Sequence, residues 1–295
     1  MSTHTHSVVQ ARQNRSAARA LYRRARWQHW LGRSEQALAL SRRAVEFADY
    51  TKAYSLIARM TLPGEDYVQV LERIHRHLRP KGYIEIGVCR GDSLAKVLPE
   101  TAAIGIDPEP QLEHPPAANH KIFAETSDHF FAHHDPLAEL GNRPLDMAFI
   151  DGMHRFEFAF RDFVSLERIC TRESVILVHD CYPLDARTAA RERVTTFWSG
   201  DIWRLVLLLR RHRPDLVVHT IGAAPTGLGI ILNLDPQSCV LADRIDELIE
   251  EYLALDFSVL AGQQAQMLGL LPNDWPAIRD LLDRRSADRA DTNGR

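Results

Sequence analysis

From residue 65 onward, short apolar runs alternate with stretches of helical periodicity, and this alternation constrains the chain more than any other feature. The runs fall at Tyr83–Val88, Ala103–Asp107, Lys121–Ala124, Leu145–Asp151, Ser174–Asp180, Leu216–Ile221 and Leu228–Leu234. Helical segments are expected between the first six, and helix 65–78 leads into them with Tyr67, Val70, Leu71, Ile74 and Leu78 at helical spacing. Strands separated by helices pair in parallel through βαβ crossovers. The last two runs are joined only by Gly222 to Gly227, too short for a parallel crossover, so they must form an antiparallel hairpin. The expected fold is α/β: a doubly wound, seven-stranded, mostly parallel sheet with one antiparallel strand.

Helical flanks are expected on both sides of this core. Pro63–Gly64 marks the first boundary, dividing the chain into a helical segment 1–62, a core domain 63–235 and a helical segment 236–295. Helices are expected at 12–31 and 34–48, the first ended by Gly32. The polar ends, 1–10 and 284–295, are expected to be unstructured. The stretch Ala17 to Met60 resembles one tetratricopeptide-type helix pair, with Leu31–Gly32 and Ala44 near the positions such a pair uses. One unit leaves an apolar face open, so the segment is expected to pack on the core domain or on a second subunit.

Composition excludes several classes. Apolar residues make up 45 % and charged residues 25 %, a globular profile, and the net charge of −3 creates no global field for nucleic acid or membrane. Nine arginines between Arg12 and Arg43 form either an exposed helical face or a contact for an acidic partner. The four cysteines lack CxxC spacing, there is no apolar leader, and the run Leu205 to Leu209 is far too short to span a bilayer. Reduced thiols and a cytoplasmic location are expected.

The run Tyr83-Ile84-Glu85-Ile86-Gly87-Val88-Cys89-Arg90-Gly91 reads as a strand, a glycine turn and a helix start. Ligands of open α/β sheets bind beyond the carboxyl ends of the strands, where Gly87 and Gly91 allow close backbone approach. The spacing is E-x-G-x-x-x-G, not the G-x-G-x-x-G of nicotinamide and flavin enzymes. Asp107, at the end of the second run, either accepts ribose hydroxyls or caps a turn. This pattern resembles the class I S-adenosylmethionine-dependent methyltransferases. The resemblance implies that Glu85, Gly87 and Gly91 surround the methionine moiety and Asp107 the ribose. It also implies that Ser127 or Asp128 borders the adenine; capping of the helix near His129 accounts for that pair equally well.

The runs ending in Phe149-Ile150-Asp151-Gly152-Met153-His154 and Val178-His179-Asp180-Cys181 carry the reaction chemistry. If the two strands are neighbours, Asp151 and Asp180 lie side by side and repel unless a proton or a cation is shared. Mg²⁺ answers that requirement. The region is similar to the metal-dependent O-methyltransferases of the catechol and macrocin types. That similarity implies Asp151 and Asp180 as metal ligands and His154 as general base; His154 also reads as a capping residue at a helix start, and Asp180 as a strand-end turn residue. His179 and Cys181 depart from the usual third oxygen ligand. Adjacent strand residues face opposite ways, so His179 joins the cluster only if the strand has already broken.

The functional expectation is methyl transfer from S-adenosylmethionine to a hydroxyl of a small molecule or glycan. Three alternatives stand beside it: a metal-independent methyltransferase, a helical-repeat interaction protein with a degenerate methyltransferase domain, and a nicotinamide oxidoreductase. The intact Glu85, Gly87, Gly91 and Asp107 count against degeneration, and the glycine spacing counts against the oxidoreductase. No nucleic-acid or membrane partner is expected, and self-association is left open.

Overall fold

A computed structural model describes residues 2–292, with side chains described from 9 to 284. The polar ends 1–10 and 284–295, expected to be unstructured, are instead helical where the backbone is described, at residues 2–10 and 284–292. Four helices lead the chain: α1 (Ser2–Trp30), α2 (Ser34–Phe47), α3 (Thr51–Thr61) and α4 (Tyr67–Leu78). Then come β1 (Gly82–Ile86), β2 (Ala102–Ile106), β3 (His120–Phe123), α5 (Ser127–His133), α6 (Pro136–Glu139), β4 (Leu145–Ile150), α7 (Phe156–Glu167) and β5 (Cys170–His179). The remainder is α8 (Trp203–His212), β6 (Val217–Ile221), β7 (Leu228–Leu232), α9 (Ile245–Leu253), α10 (Gln264–Met267), β8 (Leu270–Leu271) and α11 (Trp275–Thr292).

The strands form a single sheet in the order β3-β2-β1-β4-β5-β7-β6-β8. Only β7 runs antiparallel, lying between β5 and β6 and pairing with both. The chain lays β2 and β3 on one side of β1 and then returns to place β4 on the other. A crevice therefore opens beyond the carboxyl ends of β1 and β4, the switch point where such sheets bind ligands. Strand side chains alternate between two cores. Ala148, Ile150, Ile176 and Val178 pack under α7, α8 and α9, whereas Met147, Phe149, Val175 and Leu177 pack under α4 and α11. This two-sided burial explains why the strands read as near-continuous apolar runs.

Three features depart from the sequence expectation. Between β1 and β2 the expected helix is only a 3₁₀ turn, Leu94–Lys96, and no helix lies between β2 and β3. That second connection holds Pro108, Pro110, Pro115 and Pro116, which cannot donate helical hydrogen bonds. An eighth strand, β8, pairs in parallel with β6 inside a segment expected to be helical throughout. It supplies two residues, too few for periodicity to reveal.

The N-terminal helices pack together through Ala18, Ala44, Val45, Ala53, Tyr54 and Ile57, and the same cluster takes in Leu184 and Phe197 from the β5–α8 connection. Among the described residues no helix is long and apolar enough to cross a membrane.

His75, on the buried face of α4, is fully enclosed against the edge of the Tyr83 ring, and neither ring nitrogen has a hydrogen-bond partner. Burial, reinforced by nearby His120, pushes its pKa down to about 4. The folded state therefore disfavours the imidazolium that the unfolded chain readily forms. Stability attributable to this group is intact above pH 6.5 and is lost as pH falls from 6.5 towards 4. Denaturant titrations across that window should show a loss on the order of 2–3 kcal/mol. His75→Phe should remove most of this slope; an unchanged slope would assign it to other groups.

Candidate functional site

The crevice at the switch point holds a cavity of about 650 Å³, within the ordinary range for small-molecule sites. Gly87, Asp107, Ser127, Asp128, Asp151 and His154 line it, together with Tyr67, Phe158, Asp162 and His179. Glu85, Gly91 and Asp180 are not among its lining residues: Glu85 is buried in the sheet, Gly91 borders a neighbouring cleft, and Asp180 borders a separate small cavity.

Glu85 sits at the centre of the sheet, fully buried. It accepts hydrogen bonds from Tyr83 Oη (2.7 Å) and Ser93 Oγ (2.6 Å). Burial pushes its pKa up to about 7, against the opposing pull of those two donors. Glu85 thus acts from beneath the glycine turn, tying β1 to the residues that follow it. Gly87, with φ +89°, lies so close to β4 that a Cβ there would stand 2.1 Å from the Asp151 carbonyl oxygen. A side chain at this position would meet the backbone of Asp151 and Gly152, so the close approach that requires glycine here is that of β1 to the end of β4. Gly91, at φ +84°, completes the turn.

Asp107 ends β2 and secures the turn from the other side. Its Oδ2 accepts from the Cys89 amide (2.7 Å) and its Oδ1 from the Glu109 amide (2.8 Å). The carboxylate caps two backbone donors while lining the cavity, and each oxygen retains acceptor capacity for a ligand hydroxyl. Ser127 and Asp128 open α5, whose cap is Thr126 rather than either of them. The Ser127 side chain instead bonds Asp162, a fully buried acid on α7 whose pKa burial pushes up to about 7.

The chemistry concentrates at the ends of β4 and β5. These strands pair in parallel with Ile150 opposite Val178, so one step further Asp151 falls opposite His179. Strand β5 breaks at that point: Asp180 has φ +64°. The break lets His179 and Asp180 reach the same cluster, the condition under which His179 could join it. His179 Nδ1 lies 3.0 Å from Asp151 Oδ1 and 3.5 Å from Asp180 Oδ2, and its Nε2 lies 3.2 Å from Thr226 Oγ1. Tyr67 stacks on the ring at 3.9 Å. Burial alone would lower the His179 pKa, but the two carboxylates outweigh it and raise the value to about 9. The two carboxylates therefore favour the protonated form of His179.

His154 approaches from the β4–α7 loop, itself at φ +55°, with Nδ1 2.6 Å from Asp180 Oδ2. That close pair is poorly aligned as a hydrogen bond, leaving Nδ1 without a proper partner. Burial works against the charged ring, yet Asp180 and Asp151 raise its pKa above the usual histidine value. Burial in turn opposes ionisation of Asp180, but His179 and His154 together hold its pKa below the usual carboxylate range. Ligand atoms of Asp151, His154 and Asp180 lie within 4.8 Å of one another, and these residues border a small cavity of about 10 Å³. Two carboxylates, an imidazole nitrogen without an aligned partner and a space this size fit a divalent cation; the nitrogen donor suits Mn²⁺ or Zn²⁺ at least as well as Mg²⁺. Cys181 takes no part. It is fully buried, its thiol points to the Val178 carbonyl, and burial pushes its pKa up.

Sequence reasoning missed four contributors. Tyr67 reads as one more apolar position on helix 65–78, and Thr226 as a turn residue. Trp198 stacks on His154 at 5.3 Å with rings 12° apart, but no motif surrounds it. Asp162 carries a partial signal, an acid among the apolar residues of α7, a helix that also buries Glu157 and Glu167.

Comparison with known proteins agrees with this region. Residues 84–181, about a third of the chain, match the family model for a methyltransferase domain, a match that spans β1 to β5. No curated protein matches the sequence. Among solved structures, cofactor-bound Rv0187 from MTB is similar at 16 % identity and TM-score 0.45, covering 61 % of this chain and 86 % of that one. The O-methyltransferase TomG from Streptomyces achromogenes, solved with SAM, is 17 % identical at TM-score 0.45, covering 57 % and 79 %. An O-methyltransferase from Bacillus cereus, in complex with SAH, is 13 % identical at TM-score 0.42, covering 60 % and 86 %.

The contact at Gly87 gives a direct test. Gly87→Ala forces a Cβ against backbone at a positive φ, and should lower unfolding free energy by more than about 2 kcal/mol. Gly152→Ala is the control. Its Cβ would meet only Ile86 Cγ2 at 3.7 Å, and the cost should stay within about 1 kcal/mol. Equal effects in denaturant titrations would refute the close-approach account.

Proposed function

We propose that the protein is an S-adenosylmethionine-dependent O-methyltransferase acting on a hydroxyl of a small molecule or glycan. The observation that carries this reading is the continuity of one cavity, which runs from the Gly87 turn and Asp107 to His154. On this reading residues 63–235 are the catalytic domain, and the flanks 1–62 and 236–295 support it, α1 and α2 as a single tetratricopeptide-like unit. Low net charge and unpaired cysteines support a reduced, cytoplasmic setting without nucleic-acid or membrane partners.

S-adenosylmethionine, when bound, supplies a methyl group on a cationic sulfonium. Asp107 would hold the ribose hydroxyls, the Gly87–Gly91 turn would admit the methionine portion, and Ser127 and Asp128 would border the adenine. The chain's main task is then alignment and deprotonation of the acceptor. Asp180 faces Nδ1 of His154 and raises the proton affinity of the ring, so Nε2 of the neutral imidazole is the atom that would take up the acceptor's proton. A divalent cation held by Asp151 and Asp180 would lower the pKa of the acceptor hydroxyl and fix its oxygen. A metal-independent variant of the same reaction is favoured by one observation: the His179 ring already stands between Asp151 and Asp180, whose carboxylates favour its protonated form.

Calorimetry with S-adenosylhomocysteine tests the core of the proposal. Binding should stabilise the fold by about 2.7 kcal/mol at a hundredfold excess over Kd; binding of NADH in its place would overturn it. With any hydroxyl acceptor the wild type methylates, His154→Ala should reduce turnover by about 10²–10⁴-fold with little change in cofactor affinity. Chelator should abolish activity, and Mg²⁺ or Mn²⁺ restore it, if the metal arm holds. Full activity in excess chelator would select the metal-independent reading.

A further inference from the structure

We infer that the N-terminal helices are a positioning element for His154, acting through the connection 180–202. The inference rests on the reading of His154 as the proton acceptor. Among the described residues, none of α1, α2 or α3 lines either the large cavity or the small one. Their contact is with the outer side of the connection. Thr196 donates both its amide and its hydroxyl to Asp49 Oδ2, each at 2.7 Å. Arg187 donates to the Val45 carbonyl at 2.9 Å, and the Tyr54 ring stacks on Phe197 at 5.5 Å.

The inner side of the same connection grips His154. Trp198, one residue beyond Phe197, lies parallel to the imidazole, and its indole N–H is fixed on the Ala190 carbonyl at 2.6 Å. Asp201 donates its amide to the His154 carbonyl at 3.3 Å and accepts the Phe156 amide at 2.7 Å, so it caps α7 just beyond the histidine. Gly200, at φ +62°, presses so close that a Cβ would stand 1.8 Å from the His154 carbonyl oxygen. A non-glycine residue held at positive φ, as His154 is, persists when its surroundings over-determine it. The connection supplies those surroundings, and Asp49, Val45 and Tyr54 hold the connection from outside. These helices are thus the outer buttress of the wall on which the imidazole stands.

Asp49 is the residue to change, because it is exposed and distant from both cavities. Asp49→Ala removes both bonds to Thr196, while Asp49→Asn keeps an oxygen acceptor. In the full-length protein, hydrogen exchange reads the connection. Diethyl pyrocarbonate modification of His154, followed by peptide mass mapping, reads the imidazole without requiring a known acceptor. Asp49→Ala should speed amide exchange over residues 196–201 by about tenfold and change the His154 modification rate in step. Asp49→Asn should return both to near the wild-type values, and the Kd for S-adenosylhomocysteine should stay within about twofold in all three proteins. Unchanged exchange and modification in Asp49→Ala would overturn the inference. So would failure of the asparagine to rescue, or an equal loss of S-adenosylhomocysteine affinity. If the wild type does not bind S-adenosylhomocysteine, the cofactor reading fails, while exchange and modification still decide the positioning role.

Discussion

Two carboxylates at the ends of neighbouring strands set the terms for everything around them. Asp151 and Asp180 cannot both be ionised in a half-buried crevice without compensation. The fold provides it with imidazole groups from two directions: His179 from the break in β5, and His154 from the loop after β4. Each histidine is itself held by a second group, His179 by Thr226 and the Tyr67 ring, His154 by the connection that follows β5. Removing one carboxylate would leave buried positive charge as costly as the repulsion it relieved. The cluster is therefore a cooperative unit, and the helices and turns near it are placed to keep its distances fixed.

The glycine turn answers a different constraint, that of space. Strands β1 and β4 converge at Gly87 until backbone meets backbone, which brings the cofactor end of the crevice into contact with the strand that carries Asp151. Glu85 below the turn and Asp107 beside it hold this geometry with four hydrogen bonds in all. Acidic residues at these positions have a structural task whether or not a ligand is present. Their occurrence in the sequence therefore signals the shape of the site as well as its contents.

The parallel sheet and its single antiparallel strand were legible because apolar runs and turn residues carry that information directly. The neighbouring placement of Asp151 and Asp180 followed from reading β4 and β5 as adjacent strands. What the sequence concealed was register and backbone hand. Nothing in Val178-His179-Asp180 announces that the strand breaks there, because an aspartate carries no strong preference for the left-handed conformation that Asp180 adopts. Tyr67, Thr226 and Trp198 were hidden for a related reason. Each reaches the cluster from an element distant in sequence, and each has an ordinary packing or turn reading of its own. The missing helices between β1 and β3 were recoverable in part, from the four prolines in the second connection.

The placement of β7 has a consequence for how the molecule assembles. Strand β6 precedes β7 in the chain, yet it reaches the sheet only through β7, which separates it from β5. The two strands must therefore meet as a hairpin before, or as, they dock on β5, where Ile176 pairs with Ile231 across a long stretch of chain. That stretch includes the connection that braces His154. Closing it carries an entropic cost that grows with the length of chain enclosed. Thr226, which fixes the outer nitrogen of His179, arrives with the same hairpin. The charge cluster thus takes one of its supports from a hairpin that joins the sheet through a long-range pairing, so the integrity of the reaction centre and of that strand pairing rest on the same contacts.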